Sequence, residues 1–112
     1  MTAAALLRKL LFVTLLVLAA CGSPQEREAK HIASGKTLYE SGDLVKAILE
    51  FRNALQINPR GIEARYYVGL ILERQGNLPA ALSAFQEVSL QDPNHGDAQR
   101  KLGQYALMGS IF

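Results

Sequence analysis

From about residue 28 onward, apolar positions recur every three to four residues in runs of a dozen or so. Each run breaks off at a short segment bearing Gly, Asn, Asp or Pro. That period belongs to short amphipathic helices and not to strands. The pattern also repeats as a whole. A shift of 34 residues superposes Gly35 on Gly69, Leu38 on Leu72, Gly42 on Gly76, Leu44 on Leu78, Ala47 on Ala81, Phe51 on Phe85 and Pro59 on Pro93. The matching positions are the small, aromatic and helix-breaking residues, which a repeated packing unit holds constant. A partial third copy opens with Ala98, Leu102 and Gly103, opposite Ala64, Val68 and Gly69.

Each copy reads as a pair of antiparallel helices. In the second, Ala64, Val68, Ile71 and Leu72 share a helical face, and Gly69 leaves room for a neighbouring helix to approach. Gly76-Asn77 interrupts that helix and places Asn77 to cap the next one. Pro79 then falls in a first turn, where a missing N–H costs little. Ala81, Leu82, Phe85 and Val88 form the packing face of the second helix, and Asp92-Pro93 ends it. The first copy runs the same way, from Gly42-Asp43 through Ala47, Ile48, Phe51 and Ala54 to Asn58-Pro59. The expected units are 28–61, 62–95 and, over 96–112, a capping helix or partial third repeat with a turn at Gly109-Ser110. Ile111-Phe112 leaves two readings open: a natural end folded onto the last helix, or an early stop.

The string G-[DN]-L-x-x-A-[IL]-x-x-F, with Pro eight residues later, occurs twice at this spacing and resembles the tetratricopeptide repeat family. The resemblance covers residues 28–108. It implies an all-α fold, a short right-handed solenoid of antiparallel helix pairs. It also implies a concave groove lined by the first helix of each repeat. Carried over position by position, the groove takes Lys36 and Tyr39 from the first copy, Tyr66, Leu70 and Glu73 from the second, and Arg100 and Gln104 from the third. Tyr39, Tyr66 and Leu70 would form an amphipathic strip flanked by Lys36 and Arg100, the residue types that anchor protein interfaces. The family's carboxylate-clamp subtype requires Lys, Asn, Asn, Lys and Arg at positions held here by Ile32, Lys36, Tyr67, Asp97 and Lys101. The clamp is therefore absent, which disfavours a chaperone co-factor.

Residues 1–20 contain no acid, and Arg8 and Lys9 precede the uncharged run Leu10–Ala20. The run is short for a membrane span, which needs about 20 apolar residues. It suits the apolar core of a secretory signal, about 7–15 residues. Leu18-Ala19-Ala20-Cys21 resembles a bacterial lipobox, which implies acylation of Cys21 and its exposure as the mature N-terminus. Two or three acyl chains hold a protein durably on a bilayer, at about 0.8 kcal/mol per buried CH₂. Gly22 stands where an inner-membrane retention signal would place Asp, which by the same resemblance implies the outer membrane of a Gram-negative cell. Residues 22–29 are polar, carry Pro24 and read as a loose tether of about 15 Å.

Composition narrows the function. The chain of 112 residues has 12 Lys+Arg against 10 Asp+Glu, and setting aside Arg8 and Lys9 leaves ten of each. A neutral domain offers no electrostatic reason to expect nucleic acid. A single Cys excludes an intramolecular disulfide framework and a Cys-rich zinc site. His31 and His95 sit at different repeat positions and read as solvated residues, so no metal ligand set forms. No nucleophile elbow or Gly-rich phosphate loop is present, and the carboxylates are scattered singly. The expectation is a non-catalytic adaptor without cofactor or small-molecule substrate. It would bind a protein or peptide partner in the groove and a membrane through Cys21. Phe51-Arg52-Asn53-Ala54-Leu55-Gln56, with Glu63-Ala64-Arg65-Tyr66, is similar both to repeat lipoproteins of exopolysaccharide and PEP-CTERM systems and to type IV pilus pilotins. The alternative of another class is a structural fragment of a longer repeat protein, without a partner of its own.

Overall fold

The computed structural model describes residues 2–20 and 22–111, with the side chains of residues 15–20, 110 and 111 left aside. Among the described residues it is all-α, with helices α1 (Ala3–Ala20), α2 (Pro24–Glu40), α3 (Leu44–Ile57), α4 (Ile62–Arg74), α5 (Leu78–Gln91) and α6 (Gly96–Ile111). Helices α2 to α5 are two helical hairpins at the expected spacing, and α6 packs on α5 as the opening of a third.

The two hairpin turns are built alike. Gly42 and Gly76 adopt φ of 85° and 82°, a left-handed conformation that side chains resist. The N–H groups of Gly42 and Asp43 donate to the carbonyls of Tyr39 and Leu38, and those of Gly76 and Asn77 to Glu73 and Leu72. Both turns are thus Schellman closures that satisfy the free carbonyls of the preceding helix. The next residue caps the following helix: Asp43 Oδ1 accepts from Lys46 N at 3.2 Å, and Asn77 Oδ1 from Ala80 N at 3.4 Å. The links between copies also match. Asn58 and Asp92 each accept from the N–H two residues on, while Arg65 and Gln99 each donate to the carbonyl of the proline six residues back.

The core lies between the helices. Phe51, Phe85, Ile71 and Val88 are the largest fully buried side chains, joined by Ala47, Ala54, Ala64, Ala81 and Ala98. The small residues let the helices approach, and the two rings fill the space so created. Gly35 faces the Phe51 ring and Gly69 the Phe85 ring, as the spacing predicts for Gly69.

Two expectations need correction. The stretch 24–29 is not a loose tether but the first turns of α2. Ser23 caps it by accepting from Glu26 N at 3.2 Å, and Pro24 stands in the first turn. Ser-Pro-Gln-Glu is therefore a helix start. Glu28 further ties this end to the repeat by accepting from Asn58 Nδ2 at 3.0 Å. Nor does the chain turn at Gly109-Ser110, where α6 runs on. The turn positions of the earlier copies, Gly42-Asp43 and Gly76-Asn77, correspond to Ser110-Ile111. These offer neither a glycine for positive φ nor a capping carboxylate or amide.

Helix α1 is exposed over Leu6, Leu7, Leu10, Leu11, Phe12 and Val13. No helix among the described residues is long and apolar enough to cross a membrane.

Candidate partner-binding groove

The residues assigned to the groove fall into rows across the first helices of the repeats. Lys36, Leu70 and Gln104 share one repeat position, Tyr39 and Glu73 a second, Tyr66 and Arg100 a third. The rows run across α2, α4 and α6, and cross-helix polar contacts link these three helices. Lys36 Nζ donates to Glu63 Oε1 at 3.0 Å, joining α2 to α4. Glu73 joins α4 to α6, accepting from Lys101 Nζ and, at 3.0 Å, from the Tyr105 hydroxyl.

A chain of rings runs beneath these contacts. Tyr67 is its centre: it stacks on Phe51 with centroids 4.8 Å apart and meets the edges of Tyr39 at 5.4 Å and Tyr66 at 6.4 Å. Tyr66 continues the chain to Phe85 at 5.6 Å and to the His95 ring at 4.9 Å. The Arg74 guanidinium lies 5.2 Å from the Tyr39 centroid, close enough for a cation–π attraction.

The electrostatics follow from this packing. Burial, followed by the hydrogen bond to Glu73 and its negative charge, pushes the Tyr105 phenol up to about 12. Burial also raises Tyr66, against the opposing pull of Arg100. The bond to Glu63 and its charge raise the Lys36 ammonium. Arg100 is met by Asp97 on its own helix. The two cations expected to flank the strip are each paired with a carboxylate of the chain, so the flank is less positive than the sequence suggests.

Tyr39, Tyr66, Leu70 and Glu73 are half-buried and Gln104 is exposed. Tyr66 is no free anchor, since it packs on Phe85 and His95. His95 is not a solvated residue: its Nδ1 accepts from Ala98 N at 3.1 Å and so caps α6. His31 likewise has a partner, Glu50 Oε2 at 2.8 Å. Tyr67, Tyr105 and Lys101 are not among the residues assigned from the sequence, yet they carry the packing and the cross-links between these helices. Tyr67 follows Tyr66 directly, and an aromatic pair on one helix was the available signal. Cys21 lies outside the described residues. No His, Cys, Asp and Glu cluster suited to a metal occurs among them.

The tetratricopeptide repeat family matches residues 38–105, more than half of the chain. The chain belongs to the tetratricopeptide repeat family. It is 34% identical over 74 residues to the tetratricopeptide repeat domain-containing protein PYG7, chloroplastic, of Arabidopsis thaliana, a stretch covering 66% of this chain and 25% of that one. It is 33% identical over 79 residues to the cellulose synthase 1 operon protein C of Komagataeibacter xylinus, covering 70% of this chain and 6% of that protein. The chain thus spans a quarter or less of these relatives' length. As a tetratricopeptide repeat unit it carries a scaffold suited to protein–protein interaction.

Proposed function

We propose that this tetratricopeptide chain is a non-catalytic adaptor of the bacterial envelope. Lipid on Cys21 would hold it at the periplasmic side of the outer membrane, where it binds a partner polypeptide along the face of α2, α4 and α6. The observation that carries the binding role is the row Lys36, Leu70, Gln104 beside Tyr39 and Tyr66. It is a continuous, partly apolar strip on helices locked together by Lys36–Glu63 and by Glu73 with Lys101 and Tyr105. A strip fixed before the partner arrives loses little side-chain freedom on binding. The lipobox-like Leu18-Ala19-Ala20-Cys21 supports the anchor. The name of one relative ties that protein to a cellulose synthase operon, which favours the exopolysaccharide-type setting of the two resemblances.

The strip is tested by crosslinking capture from envelope fractions with wild-type chain and with Leu70→Arg. Leu70 is half-buried on the face, so the variant is first matched to wild type by thermal melting. Capture of a specific polypeptide should fall about tenfold, as for loss of an interface anchor worth 1–3 kcal/mol. A partner held equally by both would sink the groove reading. The anchor is tested separately by mass spectrometry of the N-terminal peptide and membrane fractionation of Cys21→Ser. Unmodified Cys21 in the mature wild-type protein would contradict it.

A further inference from the structure

Helix α3 has two unlike sides. Ala47, Ile48, Phe51 and Ala54 are buried among residues of α2 and α4. The other side is a stripe at helical spacing, Val45, Leu49, Arg52 and Gln56, all exposed. Val45 and Leu49 are 67% and 54% exposed, large apolar side chains one turn apart that no described helix covers. Lys46 stands beside them with its side chain 72% exposed. Arg52, and the exposed Arg60 just past the helix end, have no side-chain partner among the described residues.

No exposed position of α3 holds a carboxylate. Those of the hairpin that approach it are already engaged. Asp43 caps α3 and meets Lys46 at 3.8 Å, Glu50 is held by His31 at 2.8 Å, and Glu28 accepts from Asn58. The stripe is not a property of the repeat. One copy later the positions of Val45, Lys46, Leu49, Arg52 and Arg60 hold Pro79, Ala80, Ser83, Gln86 and Asn94, none of them charged. The hairpin that carries it is the one next to Cys21. Only Gly22 and Ser23 separate Cys21 from Pro24, a span of about 10 Å at most. Pro24 in turn borders a cleft with Ile57 and Asn58 at the end of α3, so lipid on Cys21 would be delivered beside this helix.

We propose that this stripe of α3 docks on an anionic phospholipid bilayer, with Val45 and Leu49 entering the headgroup layer and Lys46, Arg52 and Arg60 meeting lipid phosphates. Exposed apolar side chains flanked by cations suit a helix lying in the plane of the interface. Anionic headgroups attract Lys and Arg held close to them, and salt screens that attraction. The docking rests on the reading of Cys21 as the lipid anchor and deepens it. Lipid at one end of the hairpin and the stripe along it give two points of attachment, which fix how the chain stands on the membrane. Helices α2 and α4 then lie on the far side of α3, away from the bilayer.

The acylated chain is reconstituted in phosphatidylethanolamine–phosphatidylglycerol vesicles with Leu49→Cys or Ser83→Cys, the same repeat position on α3 and α5. Cys21 is the one native cysteine, so once it is acylated each variant offers a single thiol for an NBD fluorophore. A melt matched to wild type confirms the fold of each. Quenching by doxyl-labelled lipid should be at least about threefold stronger at position 49 than at position 83. Lys46→Glu with Arg52→Glu, or phosphatidylcholine in place of phosphatidylglycerol, should bring position 49 down to the level of position 83. Equal quenching at the two positions would overturn the docking, and so would quenching at position 49 that neither change reduces. Shielding of the position-49 fluorophore in detergent without lipid, rising with protein concentration, would assign the stripe to a second copy and overturn it as well. Mass spectrometry of the N-terminal peptide reads the anchor separately. Should Cys21 be unmodified, the anchor reading fails, and the same comparison in a Cys21→Ser chain decides whether α3 meets lipid.

Discussion

Gly69 and Gly103 occupy one position of the same repeat, yet a phenyl ring presses on the first and, among the described residues, nothing lies within 4 Å of a Cβ on the second. Both lie inside helices, where glycine is disfavoured by about 0.5–1 kcal/mol relative to alanine. At Gly69 the penalty is offset by what it permits: the Phe85 ring sits against the α4 backbone and is fully buried. At Gly103 no packing within the described residues offsets it. The repeat is therefore a unit of two helices, because the first helix of each pair is shaped for the second. The filled sockets of the first two copies hold each helix pair together, and among the described residues no ring takes the equivalent place at Gly103.

Phe85→Ala or Phe51→Ala attacks the filled sockets and should have the largest effect. Each should destabilise the chain by about 3–5 kcal/mol, from lost burial and the cavity left behind. Urea unfolding followed by circular dichroism measures this. Leu90→Ala, on the open side, should stay within about 0.5 kcal/mol of wild type. A Phe85→Ala midpoint as close to wild type as that of Leu90→Ala would refute the packing contrast.

The turns between paired helices come next. Asn77→Ala and Asp43→Ala each remove a cap and should cost about 1 kcal/mol. In the same urea experiment, Gly76→Ala should cost about 1 kcal/mol because alanine resists the φ of 82° held there, while Gly109→Ala should not destabilise, because α6 does not turn there. A comparable loss from Gly109→Ala would indicate that the third copy turns as the first two do.

The smallest effect concerns the link between α4 and α6. The Tyr105 phenol is held neutral up to about 12, chiefly by burial and also by its bond to Glu73. Its folded value lies above the ordinary tyrosine value near 10. Its contribution to stability is thus fully present below pH 10 and is lost as pH rises through about 12. An alkaline titration of phenolate absorbance should show a late step that Tyr105→Phe removes. Glu73→Gln should bring that step to lower pH.

Much of this was legible in the residues because it is decided locally. Gly42-Asp43 and Gly76-Asn77 carry their turns in a glycine able to take positive φ and a capping side chain beside it. The burial of Phe51 and Phe85 follows from helical spacing and from the glycines 16 residues before them. Ser23-Pro24-Gln25-Glu26 was equally local and was missed, because polar composition masked its capping pattern. The contacts across α2, α4 and α6 were harder to read. The repeat position gives the rows, but the bonds between them depend on how far one helix is displaced along another. Nothing near Glu73 in sequence announces Lys101, 28 residues on. The central place of Tyr67, flat on Phe51, likewise arises from the crossing of α3 and α4. The half-burial of Tyr66 arises from α5 and His95, so a residue expected to wait for a partner already has one.

The central claim is that one glycine position is a filled socket in two copies and, among the described residues, an open one in the third. Urea midpoints of Gly35→Ala, Gly69→Ala and Gly103→Ala test it most directly. The first two substitutions drive a Cβ into a buried ring and should destabilise by about 1–3 kcal/mol. The third adds a methyl group in open space and should stabilise by about 0.5–1 kcal/mol through helix propensity. Opposite signs are the expected result. Midpoints that all shift in the same direction would contradict the account.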